Sequence, residues 1–296
     1  MEHHFKYVLV DVFTKIRLQG NPLAVFPMAD GIPDLAMQKI AGELNLSETV
    51  FLCKAKDSRA LARARIFTPR QELDFAGHPT LGSAYVLSTS NSPISEFAIA
   101  ENIGLVQIEM NMADGGPLFW LTTPPVKLSE EMDASLCARL LNLPLEDIAP
   151  NCPPQFASAG SPLLFVCLAS PEAVDRAELQ SAYLKDALGS VNSVGTFIFS
   201  PKAPGSGLDV YSRMFAPQTG IAEDPATGGA TGPLAALMLS RGMLPRRNLQ
   251  FTSEQGVKMG RPSRLHVKLE IDGPDVSIKI GGSVVKVAEG TFTLDF

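Results

Sequence analysis

Two blocks of this chain repeat one another in the same order. Arg65-Ile66-Phe67-Thr68-Pro69 is echoed by Arg213-Met214-Phe215-Ala216-Pro217. His78-Pro79-Thr80-Leu81-Gly82-Ser83-Ala84 is echoed by Asp224-Pro225-Ala226-Thr227-Gly228-Gly229-Ala230. The first pair is offset by 148 positions (213 minus 65) and the second by 146 (224 minus 78), so the second copy has the shorter loop. Each copy reads as strand, Pro turn, polar loop, Pro and apolar helix, and linked matches of this kind point to duplication of a whole lobe. A chain of 296 residues with 45% hydrophobic content can bury two cores of ordinary size. The expected fold is therefore α+β, with two pseudosymmetric lobes, each a mainly antiparallel sheet around a central helix. Thr123-Pro124-Pro125 marks the boundary, giving an N-terminal lobe over 1–124 and a C-terminal lobe over 125–296, with the last strand free to return to the first lobe.

Local patterning supplies the elements. Tyr7–Phe13 alternates like a strand, and the turn Gly20-Asn21-Pro22 leads into a second strand over Leu23–Phe26. Pro33 suits the start of a helix in which Met37, Ile40, Ala41 and Leu44 share a face and Asn45 ends the run. Thr49–Leu52 is strand-like, which sets Ser47 and Glu48 at a helix-to-strand junction. Further strands are expected over Ala62–Thr68, Glu96–Ala100, Leu105–Met110 and Leu118–Thr122 in the first half. The second half predicts an amphipathic stretch over Asp133–Leu141, a strand over Leu163–Leu168 and a helix near Ala173–Leu184. Strands over Leu265–Ile271, Val276–Ile280 and Val284–Val287 close the chain.

Charge and cysteine usage exclude several functions. Twenty-five basic and 31 acidic residues give a net charge of −6, and no basic stripe is present, which argues against nucleic acid and anionic membranes as partners. The four cysteines have no CxxC spacing and read as reduced core thiols of a cytoplasmic protein. No targeting segment is expected, and no apolar run approaches the ~20 residues of a membrane span. Thr227-Gly228-Gly229-Ala230-Thr231-Gly232 is glycine-rich but is neither GxGxxG nor a P-loop. His3, His4 and His266 lack spaced partners, so no metal site is expected, and Trp120 reads as core.

The repeated loops offer a place for chemistry. Pro79 and Pro225 mark two helix starts, and each start exposes unpaired backbone N–H groups beside small residues, Gly82-Ser83-Ala84 and Gly228-Gly229-Ala230. Should the lobes face each other across a pseudo-twofold axis, two helix N-termini converge on one cleft, a favourable place for a small anionic metabolite. The bland alternative makes His78 and Asp224 simple helix caps; their pairing by symmetry argues against it. Glu48 interrupts the β-prone segment Leu46–Leu52, so its carboxylate must face solvent or a pocket. A free Glu has a pKa of ~4.3, and burial in an apolar cleft raises it toward the range useful for proton transfer. Glu43, Glu72, Asp74 and Glu223 are further carboxylates near these motifs.

The strings Asp11-Val12-Phe13-Thr14, Gly20-Asn21-Pro22-Leu23-Ala24-Val25, Asn45-Leu46-Ser47-Glu48-Thr49, Phe67-Thr68-Pro69, Phe75-Ala76-Gly77-His78-Pro79 and Glu223-Asp224-Pro225-Ala226-Thr227-Gly228 stand in the order of the PhzF-like family, and Gln255-Gly256 with Met259-Gly260-Arg261 resembles its C-terminal region. The resemblance covers almost the entire chain. It implies a diaminopimelate-epimerase-like fold, usually a homodimer, and a cofactor-independent isomerase. In that family's scheme Glu48 shuttles a proton between carbons of a dihydro-hydroxyanthranilate, assisted by His78 and Asp224, with no metal or redox cofactor. Backbone N–H groups near Gly77, Gly228 and Gly229 would bind the substrate carboxylate, and Ser47 would also be substrate-binding. One departure is Gly229, where the family commonly has Ser. Related racemases carry two thiols in these loops, where this chain has Ala76 and Pro225, so a two-thiol mechanism is not expected. The alternative from another class is a noncatalytic small-molecule-binding or interaction module that uses the same cleft.

Overall fold

A computed structural model describes residues 2–90, 95–113, 116–188, 195–202 and 209–295. The chain divides into two units, one of residues 1–122 with 281–296 and one of residues 123–280.

The first unit contains β1 (Glu2–Val12), β2 (Asn21–Phe26), α1 (Asp34–Leu44), β3 (Glu48–Cys53), β4 (Ala60–Phe67), β5 (Glu72–Leu73), α2 (Gly77–Ser90), β6 (Glu96–Glu101), β7 (Gly104–Ala113) and β8 (Gly116–Thr122). Most neighbours are antiparallel, but β2–β3 and β4–β6 are parallel. Parallel neighbours require a crossover, and α1 and α2 supply the two. In α1, Met37, Ile40 and Ala41 are buried, and Asn45 ends the helix in the left-handed conformation at φ 50°. Most of α2 is buried, and a Cβ on Gly82 would come within 2.4 Å of the Leu23 side chain, so glycine lets this helix lie directly on β2.

The second unit contains β9 (Lys127–Glu131), α3 (Ala134–Leu140), β10 (Gln155–Ser158), β11 (Pro162–Cys167), α4 (Pro171–Arg176), α5 (Leu184–Leu188), β12 (Thr196–Pro201), β13 (Val210–Ala216), β14 (Ile221–Asp224), α6 (Gly228–Ser240), β15 (Leu249–Gln255) and β16 (Ser263–Asp272). The final strand, β17 (Asp275–Asp295), starts here, and its residues from 281 onward belong to the first unit, where they pair with β1. The pairing scheme of the first unit recurs. β10–β11, β12–β13, β13–β14 and β15–β16 are antiparallel, whereas β11–β12 and β13–β15 are parallel. The duplication read from two short motifs is thus a duplication of topology. Among the described residues no helix is long and apolar enough to cross a membrane.

Three expectations need correction. The predicted helix near Ala173–Leu184 is broken, because the Glu178 and Gln180 N–H groups donate to Leu141 and Leu140 at the end of α3 instead of continuing a helical ladder. The two closing strands are one, since Gly281 and Gly282 do not interrupt β17. A Cβ there would strike the rings of Trp120 and Phe13 at 2.5 and 2.3 Å, so these glycines make room for aromatic packing. Finally, Asp224-Pro225 is not a helix start. Asp224 ends β14 and α6 begins at Gly228, whereas α2 begins at Gly77. The helices therefore align with an offset of 151 (228 minus 77), which is confirmed by matching threonines. Thr80 Oγ1 donates to the Ala76 carbonyl and Thr231 Oγ1 to the Thr227 carbonyl. On this register the counterpart of His78 is Gly229.

Candidate active site

In the first unit three elements converge on one cluster. Asn45 turns the chain at the end of α1, and three residues later β3 begins with Glu48, which is buried. The parallel register places Leu23 of β2 opposite Glu48, with Asn21 at the start of the same strand. The helix α2 contributes His78, its second residue. His78 Nε2 lies 3.3 Å from Glu48 Oε2. On the other side of the ring, Nδ1 lies 3.2 Å from the Asn21 side-chain nitrogen, and Asn21 is fully buried.

The Asn21 amide nitrogen is a donor, so Nδ1 accepts and the ring proton resides on Nε2, facing Glu48. The 3.3 Å separation has the spacing of an ion pair, but His78 is enclosed and burial pushes its pKa down to about 3. At neutral pH Glu48 therefore faces a neutral N–H and not an imidazolium. Ser47 is half-buried beside Glu48, and Gly77 is buried as the first residue of α2.

The second unit builds a separate polar cluster around Asp224. Thr227 Oγ1 donates to Asp224 Oδ2 at 2.6 Å. Gln255, fully buried on β15, donates from Nε2 to the Asp224 carbonyl at 2.7 Å, and its Oε1 accepts from the Thr227 N–H at 3.0 Å. Gly256 follows in the left-handed conformation at φ 78°, where a Cβ would meet the Pro225 carbonyl oxygen at 2.5 Å. Gly228 and Gly229 are the first two residues of α6, so their N–H groups lie at a helix N-terminus.

The structure thus brings Glu48 and His78 together in one unit and Asp224, Gly228 and Gly229 together in the other. The sequence reading treats Asn21 only as a turn residue and gives Thr227 and Gln255 no role, although all three lie in the quoted strings. Glu72 and Glu223 are not site residues. They pair with Arg65 and Arg213 at 2.8 and 2.9 Å.

Two sheet units of identical topology define a protein of the epimerase-like fold. The comparisons agree. The model of the phenazine biosynthesis-like protein family matches residues 10–290. An uncharacterized isomerase of Mesorhizobium japonicum is 36% identical, over 96% of this chain and 97% of its own. The trans-2,3-dihydro-3-hydroxyanthranilate isomerase of Pseudomonas aeruginosa is 34% identical, over 96% of this chain and 98% of its own. Among solved structures, a predicted epimerase from Pseudomonas aeruginosa superimposes with a TM-score of 0.84 at 32% identity, over 97% of this chain and 99% of that one. The chain belongs to the phenazine biosynthesis-like (PhzF) family, and it is an isomerase.

Proposed function

We propose that the protein moves a proton between two carbons of a small carboxylate metabolite, with Glu48 as the single acid/base. The observation that carries this reading is the buried Asn21–His78–Glu48 cluster, which holds one carboxylate against one neutral N–H donor. In the reaction the Glu48 carboxylate takes a proton from a saturated ring carbon, and the C–H electron pair enters the conjugated system. The resulting carboxylic acid returns the proton to a different carbon, so substrate and product are isomers and the enzyme ends as it began. His78 offers its Nε2–H, which has no hydrogen-bond partner within the described residues, to a substrate heteroatom beside Glu48. The proposed step needs neither a metal nor a redox cofactor. For Asp224 an assisting role at a substrate amino or hydroxyl group, and for Ser47, Gly77, Gly228 and Gly229 a substrate-binding role, rest on the family motifs. The dihydro-hydroxyanthranilate of the Pseudomonas relatives is the first candidate substrate, although Gly229 removes the hydroxyl that the family commonly places there.

Proton NMR in deuterated water tests the reading, with a panel of cyclic and amino-acid-like carboxylates that includes trans-2,3-dihydro-3-hydroxyanthranilate. Rearrangement or carbon-bound deuterium that disappears in Glu48→Gln supports it. Saturable binding without carbon exchange across the panel would instead favour a noncatalytic binding protein.

A further inference from the structure

Glu101 closes β6 beneath the start of α2 and is almost wholly buried. Its Oε1 lies 2.6 Å from Thr80 Oγ1, two residues beyond His78. The same hydroxyl lies 2.7 Å from the Ala76 carbonyl oxygen, immediately before the helix. A hydroxyl has one proton to donate, and a backbone carbonyl can only accept. With Glu101 ionised, two acceptors would compete for that proton. With Glu101 protonated, its O–H donates to Thr80 Oγ1 and Thr80 donates to Ala76, so each contact has a donor. Glu101 Oε2 is buried without a hydrogen-bond partner among the described residues, which a neutral carbonyl oxygen tolerates far better than a carboxylate does. Burial accordingly pushes the Glu101 carboxyl up to about 8, with the Thr80 bond and the Arg63 charge acting in the opposite direction.

We propose that Glu101 is a positioning residue, a neutral acid whose proton, relayed through Thr80 to the Ala76 carbonyl, fixes the first turn of α2 and so holds His78 against Glu48. The part played by His78 rests on the acid/base reading above; the proton relay does not. The charged neighbour from β4 is Arg63, whose strand pairs in parallel with β6 and whose guanidinium donates to the Asn102 side chain. From β7 the residue opposite Glu101 is Gly104, which has no charge, and Asp74 approaches through its carbonyl, which accepts from Ile103 N–H. On α2 the titratable neighbour is His78, neutral through the physiological range. Loss of the Glu101 proton therefore draws the Thr80 hydroxyl away from Ala76 and loosens the turn on which His78 sits.

The test follows the His78 imidazole by 15N NMR from pH 6 to 10 in the substrate-free protein, with the signal assigned by its absence in His78→Gln. The expected result is a His78 shift with a midpoint near 8, although the ring itself stays neutral. Glu101→Gln keeps an N–H donor to Thr80, so its His78 signal stays at the low-pH position throughout and its activity remains within about threefold of the parent. Glu101→Leu gives a displaced signal at every pH; if it does not fold, the Gln variant still decides. A flat His78 signal in the parent, or the same titration in Glu101→Gln, overturns the proposal. Failure of the acid/base reading would show separately, as absent carbon exchange in a protein whose His78 still titrates in this way.

Discussion

Glu48 and Gly195 occupy the same place in the two halves of the duplication. Each precedes a threonine, Thr49 or Thr196, that stands opposite a phenylalanine of the next strand, Phe67 or Phe215. Each also enters the second strand of a parallel pair, opposite β2 in one unit and β11 in the other. Since His78 likewise corresponds to Gly229, the second unit lacks a side chain at both positions where the first carries Glu48 and His78. Duplication preserved the frame and left the proposed proton chemistry on one side. A symmetric racemase would need a group on each face of the substrate; one carboxylate suits removal and return on the same face.

That asymmetry is built into the packing at Gly195. A Cβ there would lie 2.4 Å from the Phe215 carbonyl oxygen and within 3.1 Å of the Met214 side chain. Gly195→Ala should therefore destabilise the protein by about 1–3 kcal/mol, as overpacking does in a tight interior, and Gly195→Glu should do so at least as strongly. Thermal unfolding checks this, and an unchanged midpoint for Gly195→Ala would remove the steric explanation.

Asn21 should matter for catalysis more than for stability. Replacing it with Ala leaves His78 Nδ1 without the donor that holds the proton on Nε2. The expected outcome is a mixture of imidazole tautomers by 15N NMR and a fall in turnover of about 10–100-fold, in the range by which supporting hydrogen bonds tune a catalytic imidazole or metal ligand. A full-rate Asn21→Ala enzyme would show that the tautomer is set elsewhere.

The buried imidazole also makes stability depend on pH. His78 titrates near 6.5 when unfolded and about 3 when folded, so below pH 6.5 the unfolded chain binds a proton that the folded protein refuses. Stability is thus full above pH 6.5 and falls as the pH drops toward 3. His78→Gln should lose less stability than the parent between pH 7 and 4.5, as measured by denaturant unfolding at each pH. Parallel curves for the two proteins would contradict the folded-state shift.

Much of this fold was legible because its signals are local. The α1 face of Met37, Ile40 and Ala41, the Asn45 stop and the β3 entry at Glu48 all follow from periodicity and turn chemistry. β12 was not foreseen because Thr196–Ser200 is buried throughout and shows no alternation. β15 does alternate, but its inward positions include Ser253 and Gln255, so the pattern is invisible to a hydrophobicity reading. The Glu48–His78 contact could be proposed only from the family motifs, since the residues lie on different elements joined by a parallel crossover. Asn21 and Glu101 were missed for the same reason. Their partners are distant in sequence, and nothing local marks a buried polar residue as paired.

The duplicated arginines offer a comparison within one molecule. Arg65 and Arg213 occupy equivalent strand positions; each pairs with a glutamate, Glu72 or Glu223, and each lies over a phenylalanine, at 5.2 Å from Phe67 and 4.8 Å from Phe215. Their third contacts differ. Arg65 reaches the exposed carboxylate of Asp34, whereas Arg213 Nη1 donates to the Val174 and Ala177 carbonyls at 3.0 and 2.9 Å, at the frayed end of α4. The Arg213–Glu223 side chains are 10% and 17% exposed, against 20% and 27% for Arg65–Glu72. Removing one partner of a buried pair costs more than removing one near solvent, because the other charge and the carbonyls are left without water. Arg213→Met should cost about 3–5 kcal/mol, and Arg65→Met about 1 kcal/mol, in denaturant unfolding at neutral pH. Adding Glu223→Leu to Arg213→Met should restore part of the loss, since the stranded carboxylate is then gone while the orphaned α4 carbonyls remain. Equal costs for the two arginines would mean that the α4 carbonyl contacts contribute nothing to the stability of the second unit.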